Sequence, residues 1–441
     1  MNKIVLLNYG LNRELGINRN LWQVTEGDIV VTAIPVDERF LAYLCEVCGM
    51  DRDKITVLNL DHGVEEMLTS PELAGQLRML TAGRGDWELF PAAYTQGVAG
   101  LAALLDLPAH AGLRFAAQRG DDLLNRKSHF RQLAAGVGVT IADGSVVTTE
   151  HDLTAAVERL LPETGTVVVK RDNDLGGHGN WALTTKEARP LNGIWRTIAV
   201  NGNLSETTAR LWDLLTDRGT TLVVESYHQS SRVFYFEYLI DADGRPRMLH
   251  TGLKRETAGE PGAPRKVWLG LEIPADLPPG TAARALTESA QIAGTVAQLG
   301  YRGRINVDGV FTEDGSFFFS EVNARWGGCT SLHSIGERLL GPAYADDHVI
   351  SGLRVVTPMR LPDAVALLRG HGLHFSPESG EGVLVLGCDG HLAKATECVL
   401  IGRTRERVRE IEERLRAVAG TVTDPALVES ALVDLNEEAM G

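Results

Sequence analysis

RINVDGVFTEDGSFFFSEVNAR, residues 304–325, reads as two strand-like runs around a turn signal. Asp314-Gly315 is the dipeptide favoured by a two-residue type I′ turn, because both central positions need positive φ. Taking those two residues as the turn sets a register. Glu313 then faces Ser316, Val310 faces Phe319, Asp308 faces Glu321, and Asn306 faces Asn323. Opposed side chains on an antiparallel pair lie roughly 5 Å apart at Cβ, and like charges there repel. Alternation along the strand also puts Glu321 and Asn323 on one face. Two carboxylates and an amide oxygen converge, and a hard divalent cation such as Mg²⁺ would relieve the repulsion. Two unrelated acids on a solvated face would look the same one by one. Register and ligand type together favour the metal.

The chain around this stretch has 441 residues, enough for two to four domains with sizeable cores. Its net charge of −15 argues against non-specific nucleic-acid binding and against docking on an anionic membrane. Five cysteines (Cys45, Cys48, Cys329, Cys388 and Cys398) are few and odd in number for this length, which fits a reduced, cytoplasmic setting. Cys45 and Cys48 form a lone CxxC in an apolar helical stretch, so packing is expected there rather than zinc or redox chemistry. The opening MNKIVLLNYG is too short an apolar run for a signal peptide, and no apolar stretch approaches the ~20 residues of a membrane span.

Residues 1–115 alternate strand and helix, as KIVLLNY, DIVVTAI and KITVLNL with ERFLAYLCEVCGM and AAYTQGVAGLAALLDL between and after them. That pattern predicts a Rossmann-like parallel sheet with helices on its faces. The loop after the first strand lacks GxGxxG, so a dinucleotide is not expected. DDLLNRKSHFRQLAAGVGVT (121–140) predicts one helix with Lys127 in its first turns. TVVVKRDNDLGGHGNWALTT (166–185) predicts two strands, with Lys170 on the face of Val168 and a glycine-rich loop between. Glycines let backbone N–H groups approach a phosphate, and a lysine adds charge. The lysine precedes the glycines, so this is no Walker motif, and an ordinary hairpin loop remains an equal reading. TLVVESYHQSSRVFYFEYLID (221–241) predicts two strands around YHQSS, the first ending near Glu225. Lys254, Arg255, Arg265 and Lys266 surround a Gly/Pro-rich loop that could close over a reacting centre or be plain solvated surface. His333 follows the quoted stretch, where a structural role is expected. From about residue 351 the chain predicts a small α+β module ending in the charged helix RTRERVREIEERLRAVAG.

Taken in order, Lys127, Lys170 with its glycine loop, VVES and EVNAR resemble the ATP-grasp superfamily of carboxylate–amine ligases over residues 1–345. The C-terminal module is similar to that of the peptide ligase of pheganomycin biosynthesis and its relatives. The resemblance implies an α/β and α+β chain in three parts. These are a pre-ATP-grasp domain at 1–115, an ATP-grasp domain at 116–350, and a C-terminal module at 351–441.

The resemblance also implies roles. Lys127 and Lys170 would hold ATP phosphates under a loop of Gly176, Gly177 and Gly179. Glu225, Ser226, Tyr227 and His228 would form the hinge beside adenine. Asp308, Glu321 and Asn323 would hold two Mg²⁺ ions. Arg325, Arg304 and Lys254 would serve the transferred phosphoryl group or the acyl phosphate. Two departures stand out. Relatives often carry a ribose-binding acid about seven residues past the hinge glutamate, where this chain has Arg232 nearby and Glu237 further on. Asn306 stands where many have arginine, with Arg304 two residues back on the same face.

The implied activity is ATP-dependent amide or peptide bond formation between a small carboxylate and an amine, with a peptide N-terminus as the narrower expectation. An ATP-grasp carboxylase and a non-catalytic nucleotide-binding regulator are the alternatives. Neither nucleic acid nor membrane is an expected partner, and a homo-oligomer is left open.

Overall fold

The computed structural model describes residues 2–9, 14–174, 179–186, 191–200, 202–217, 219–256, 268–355, 359–388 and 396–419. Gly176, Gly177, Arg265 and Lys266 lie outside them, as does the final stretch from 420.

Three sheets organise the chain. The first is parallel, in the order β3-β2-β1-β4, from β1 (Asn2–Leu6), β2 (Ile29–Thr32), β3 (Thr56–Asn59) and β4 (Trp87–Pro91). Every residue of the IVVT strand is buried, as expected when helices cover both faces. The helix Glu38–Cys48 is one of these. Asp37 caps it by accepting from the Arg39 N–H, and Gly49 ends it at φ 64°. Cys45 is buried in that helix and both its cysteines are free, in keeping with a packing role.

The second sheet runs β5-β9-β6-β7-β8, with β5 (Gly144–Val147), β6 (Thr166–Arg171), β7 (Asn180–Thr184), β8 (Arg196–Ala199) and β9 (Leu222–Ser226). Val167 and Val169 of β6 pack on Leu153, Leu160 and Leu211 of two covering helices. Alternation therefore turns Val168 and Lys170 to the opposite face, which looks toward the third sheet.

That sheet has eight strands in the order β14-β13-β10-β11-β12-β15-β17-β16. They are β10 (Ser230–Ile240), β11 (Pro246–Glu256), β12 (Trp268–Ile273), β13 (Gly303–Thr312), β14 (Phe317–Asn323), β15 (Val349–Val355), β16 (Gly382–Cys388) and β17 (Thr396–Gly402). On one face Phe234, Phe236, Ile305 and Val307 bury against Ile292 and Val296 of the long helix Pro279–Leu299. The other face carries Tyr235, Glu237, Asn306 and Asp308, set side by side by the β10–β13 register. Among the described residues, the strands of the C-terminal module make no sheet of their own. β15 pairs with β12 and extends the same sheet.

The hairpin of residues 304–325 forms, but its turn differs from the expected one. Thr312 N–H donates to Ser316 O at 2.9 Å, so three residues, Glu313, Asp314 and Gly315, make the loop. Gly315 sits at φ 82°, the left-handed position that a three-residue loop assigns to glycine. The register is thereby offset by one: Val310 faces Phe318, not Phe319. A bulge at Ser320 restores it, because Gly309 faces Phe319 while Asp308 faces Glu321. Asn306 faces Asn323 as expected.

The two strands expected around YHQSS form. β9 pairs in the second sheet and β10 in the third, so Tyr227–Gln229 is the crossing between sheets.

Candidate active site

The cleft between the second and third sheets brings together Lys127, Lys170, Asp308, Glu321, Asn323 and Arg325. On β13 and β14 the Asn323 amide N–H₂ donates to Asp308 Oδ2 at 2.9 Å and lies 3.5 Å from Glu321 Oε1. The Arg325 guanidinium donates to Asn323 Oδ1 at 2.5 Å and sits 4.8 Å over the Tyr9 ring. Burial and the facing Glu321 push the Asp308 carboxyl well above its ordinary range. Burial would do the same to Glu321, but Lys127, Lys170 and Arg325 outweigh it and hold that carboxyl down at about 2. Two facing carboxylates suit a hard cation, and Asn323 beside them turns its N–H₂ to the acids and its Oδ1 to Arg325.

Both lysines reach this cleft. Lys127 Nζ donates to Asp174 O at 2.7 Å and stands 3.6 Å from Glu321 Oε2, spanning from the loop of the second sheet to β14. The stretch around Lys127 is two helices, Gly120–Asn125 and Lys127–Val137, rather than the single one expected. The break has a cause in tertiary structure. The Asp172 backbone carbonyl accepts from Lys127 N–H at 3.1 Å, and its side chain accepts from Ser128 N–H at 2.8 Å. Asp172 thus caps the second helix from another element, and it lies two residues past Lys170. Lys170 itself pairs with Glu225 at 2.5 Å, and Arg131 donates to the same carboxylate at 2.9 Å. Two cations share one buried carboxylate, which leaves a net positive patch beside the acids. Gly179 closes the glycine loop's base. A Cβ there would meet both Arg171 and Asp174 at 2.8 Å.

The crossing between sheets holds the remaining nucleotide candidates. Ser226 N–H donates to Asp143 O at 2.8 Å and Tyr227 N–H to Thr166 O at 3.0 Å. The His228 ring stacks on Phe318 of β14 at 4.2 Å, and burial pulls its imidazole below the usual range. Of the residues near the expected ribose acid, Arg232 is exposed and pairs with Asp276 at 3.4 Å.

Glu237 sits elsewhere, on the polar face of the third sheet at 1% exposure. It meets His250 Nε2 at 2.5 Å, accepts from Thr330 Oγ1 at 2.8 Å and lies 3.5 Å from Arg304. Burial would raise its carboxyl, but Arg304 and His250 hold it at about 2. Glu237, His250 and Cys329 come within 4.8 Å of one another, yet the Glu237 oxygens are already engaged by this hydrogen-bonding set. The cluster therefore engages Arg304, which lies four residues before Asp308 on β13. Lys254 on β11 pairs with Glu256 at 2.8 Å and lowers the charge cost at Asp308. Arg255 turns the other way, to Glu412 at 2.5 Å and Ser351 at 2.7 Å. His333 is buried against Tyr344 and Glu337, a structural position.

Sequence reading missed Arg131, Asp172, Glu237's role and Tyr9. Arg131 alone left a signal, since it follows Lys127 at the i,i+4 spacing that puts two side chains on one helix face.

Comparison with known proteins agrees with this architecture. Residues 17–107 match the Pre ATP-grasp domain and residues 363–415 the PGM1 C-terminal domain. No curated protein matches the sequence. Among solved structures, an ADP complex of N5-carboxyaminoimidazole ribonucleotide synthetase is similar at TM-score 0.59 and 11% identity, over 94% of this chain and 96% of that one. An L-amino acid ligase from Bacillus licheniformis is similar at TM-score 0.53 and 13% identity, over 94% and 97%. Biotin carboxylase from Campylobacter jejuni, in a β-γ-ATP complex, is similar at TM-score 0.58 and 14% identity, over 94% and 90%. The chain has an ATP-grasp fold with a pre-ATP-grasp domain before it and a further domain at its C-terminal end. Among the described residues no helix is long and apolar enough to cross a membrane.

Proposed function

We propose that this chain is an ATP-dependent ligase that joins a carboxylate to an amine. The observation carrying the reading is the meeting, across two sheets, of Lys127 with the facing acids Asp308 and Glu321. Joining acid and amine in water needs activation. A carboxylate oxygen attacks the γ-phosphorus of ATP, the bond to the β-γ bridging oxygen breaks, and ADP leaves. The amine then attacks the acyl carbon, phosphate departs with the C–O electron pair, and the ammonium gives up its proton. The chain's part is to position the reactants and neutralise charge.

Lys127 and Lys170 hold phosphate oxygens, and the phosphates take the place of part of their present pairing with Glu321 and Glu225. The Tyr227–Gln229 crossing and Glu225 border the base, with His228 and Phe318 stacked at its rim. Gly176, Gly177 and Gly179 would cover the phosphates, and of these Gly179 lies among the described residues. Asp308, Glu321 and Asn323 would hold Mg²⁺, which when bound supplies positive charge to the crowded phosphate oxygens. Arg325, steadied by Asn323 and Tyr9, and Arg304, steadied by Glu237, face the transferred phosphoryl group, with Lys254 beside them. Water must be kept out, or the acyl phosphate hydrolyses.

The narrower reading makes the amine a peptide N-terminus and the product a peptide natural product. Its support is the C-terminal segment, where the similarity to pheganomycin-type ligases and the matched C-terminal domain coincide. Free cysteines suit a cytoplasmic setting. A carboxylase is the second reading, favoured by the carboxylase and carboxyaminoimidazole synthetase among the similar structures. An ADP-release screen of carboxylates against amino acids and peptides, read by product mass, tests both. Turnover that needs acid and amine together supports the ligase. Turnover stimulated by bicarbonate alone supports the carboxylase, and ATP binding without turnover in any mixture contradicts both.

A further inference from the structure

A second polar centre lies on the same face of the third sheet, beyond the acids. β11 leads to β12 with Lys254 opposite Leu271, and β12 leads to β15 with Glu272 opposite Ser351. Alternation then turns Leu271, Gly352 and Arg354 to the face of Lys254. Arg354 stands opposite Glu397 of β17. Here a small open cleft lies between the three parts of the chain. Arg19 enters it from the N-terminal helix Glu14–Leu21, Arg354 and Glu397 from the C-terminal strands, and Gly328 from the start of the helix Gly328–Leu340.

The charges in this cleft do not balance. Arg19 forms a two-armed pair with Glu397 at 2.6–2.9 Å, and Arg354 Nε meets the same carboxylate at 2.7 Å. Among the described residues, two guanidiniums share one carboxylate that is 4% exposed, leaving one positive charge. The surplus is partly desolvated, since the Arg354 side chain is only 17% exposed and its guanidinium lies 3.8 Å over the Trp268 ring. Burial pulls that guanidinium down to about 10, with Arg19 adding to the effect and Glu397 opposing it. A staple between domains would need one arginine. A second, facing open volume, is a seat for an anion.

The walls narrow the choice of anion. Leu269, Leu271, Leu332 and Leu353 line the cleft with Trp268. β12 also approaches β15 closely, since a Cβ on Gly270 would stand 2.1 Å from Gly352 O. The seat is therefore apolar beside its cationic end, unlike the cleft of lysines and carboxylates between the second and third sheets. In a ligase the donor's carboxylate is consumed at the metal site. The carboxylate left over belongs to the amine partner.

Resting on the ligase reading, we propose that the Arg19–Arg354–Glu397 cleft holds the free carboxylate of the amine substrate, an amino acid or short peptide with an apolar C-terminal residue. The amine end then points back along the sheet face toward Arg325 and Lys254. The three parts of the chain each supply a residue, so the seat exists only in the assembled molecule.

Calorimetric titration of the full chain with glycyl-leucine and with its C-terminal amide, in magnesium and ADP, tests this without turnover. The free dipeptide is expected to bind at least tenfold more tightly than the amide. Arg354→Gln brings it to the amide's level and leaves the amide unchanged. Glu397→Gln acts in the opposite direction and tightens the free dipeptide several-fold, a sign that a merely structural role would not give. ADP affinity reports whether each variant is folded. Should Glu397→Gln fail there, Arg354→Lys, which keeps the charge, is expected to retain most of the preference. Equal binding of acid and amide, no binding of glycyl-leucine, or equal losses for both probes in Arg354→Gln overturns the proposal. Failure of the ligase reading shows separately, as no ADP release with any acid and amine, while the dipeptide's preference persists.

Discussion

Replacing Asp308 by asparagine separates the cost of the acid pair from its use. Asp308 and Glu321 face each other across β13 and β14. Two unit charges about 5 Å apart, at an effective dielectric constant of about 20, repel by about 3 kcal/mol. Lys127, 3.6 Å from Glu321, and the 34% exposure of the Glu321 side chain reduce this. About 1–2 kcal/mol of net cost remains in the metal-free protein. Asparagine keeps the shape and still accepts from the Asn323 amide. Asp308→Asn is therefore expected to be more stable than the wild type by about 1–2 kcal/mol in urea denaturation with EDTA. In saturating magnesium and ADP the order reverses. The wild type gains about 2.7 kcal/mol at a ligand concentration a hundredfold above Kd, and the variant loses the magnesium-dependent part. A variant that is less stable than wild type in EDTA, or that keeps the full magnesium-dependent gain, refutes the reasoning.

Three further predictions follow from neighbouring contacts. Asp172→Ala removes the cap on Lys127–Val137, costs about 1 kcal/mol in denaturation and raises the KM for ATP several-fold, because Lys127 loses its fixed start. Gly252→Ala would place a Cβ 2.1 Å from the Tyr235 ring and is expected to cost about 2–3 kcal/mol, measured by the same denaturation. The Glu237 carboxyl is held at about 2 against an ordinary value of 4.5, so its contribution of about 3 kcal/mol is whole above pH 4.5 and fades as pH falls toward 2. Glu237→Gln flattens that acid limb in denaturation at stepped pH, and at neutral pH it destabilises by about 3–5 kcal/mol by leaving Arg304 without its partner.

The local patterns were legible because they are local. Alternation placed Lys170 with Val168, and runs such as IVVT and FFFSEVN could hardly be anything but strands. The pairing of Asp308 with Glu321 was reached by a turn one residue too short, and the bulge at Ser320 cancelled the error. A bulge has no reliable sequence mark, because Ser320 differs little from any other strand residue. Two strands around YHQSS were legible, but which sheet each joins was not, since the same two strands flank the segment in either topology. Asp172, which splits one expected helix into two, acts from 44 residues away. Arg19 and Glu397 are 378 residues apart, and nothing in either neighbourhood predicts their meeting.

Magnesium-dependent ADP release by wild type and by Glu321→Gln, with a carboxylate and an amine present together and each alone, bears most directly on the acids as the floor of an ATP site. The account predicts turnover in the wild type only when both substrates are present, and its loss in Glu321→Gln, whose fold, followed by circular dichroism, stays intact. Near-normal turnover in Glu321→Gln, or ADP release indifferent to the amine, would contradict it.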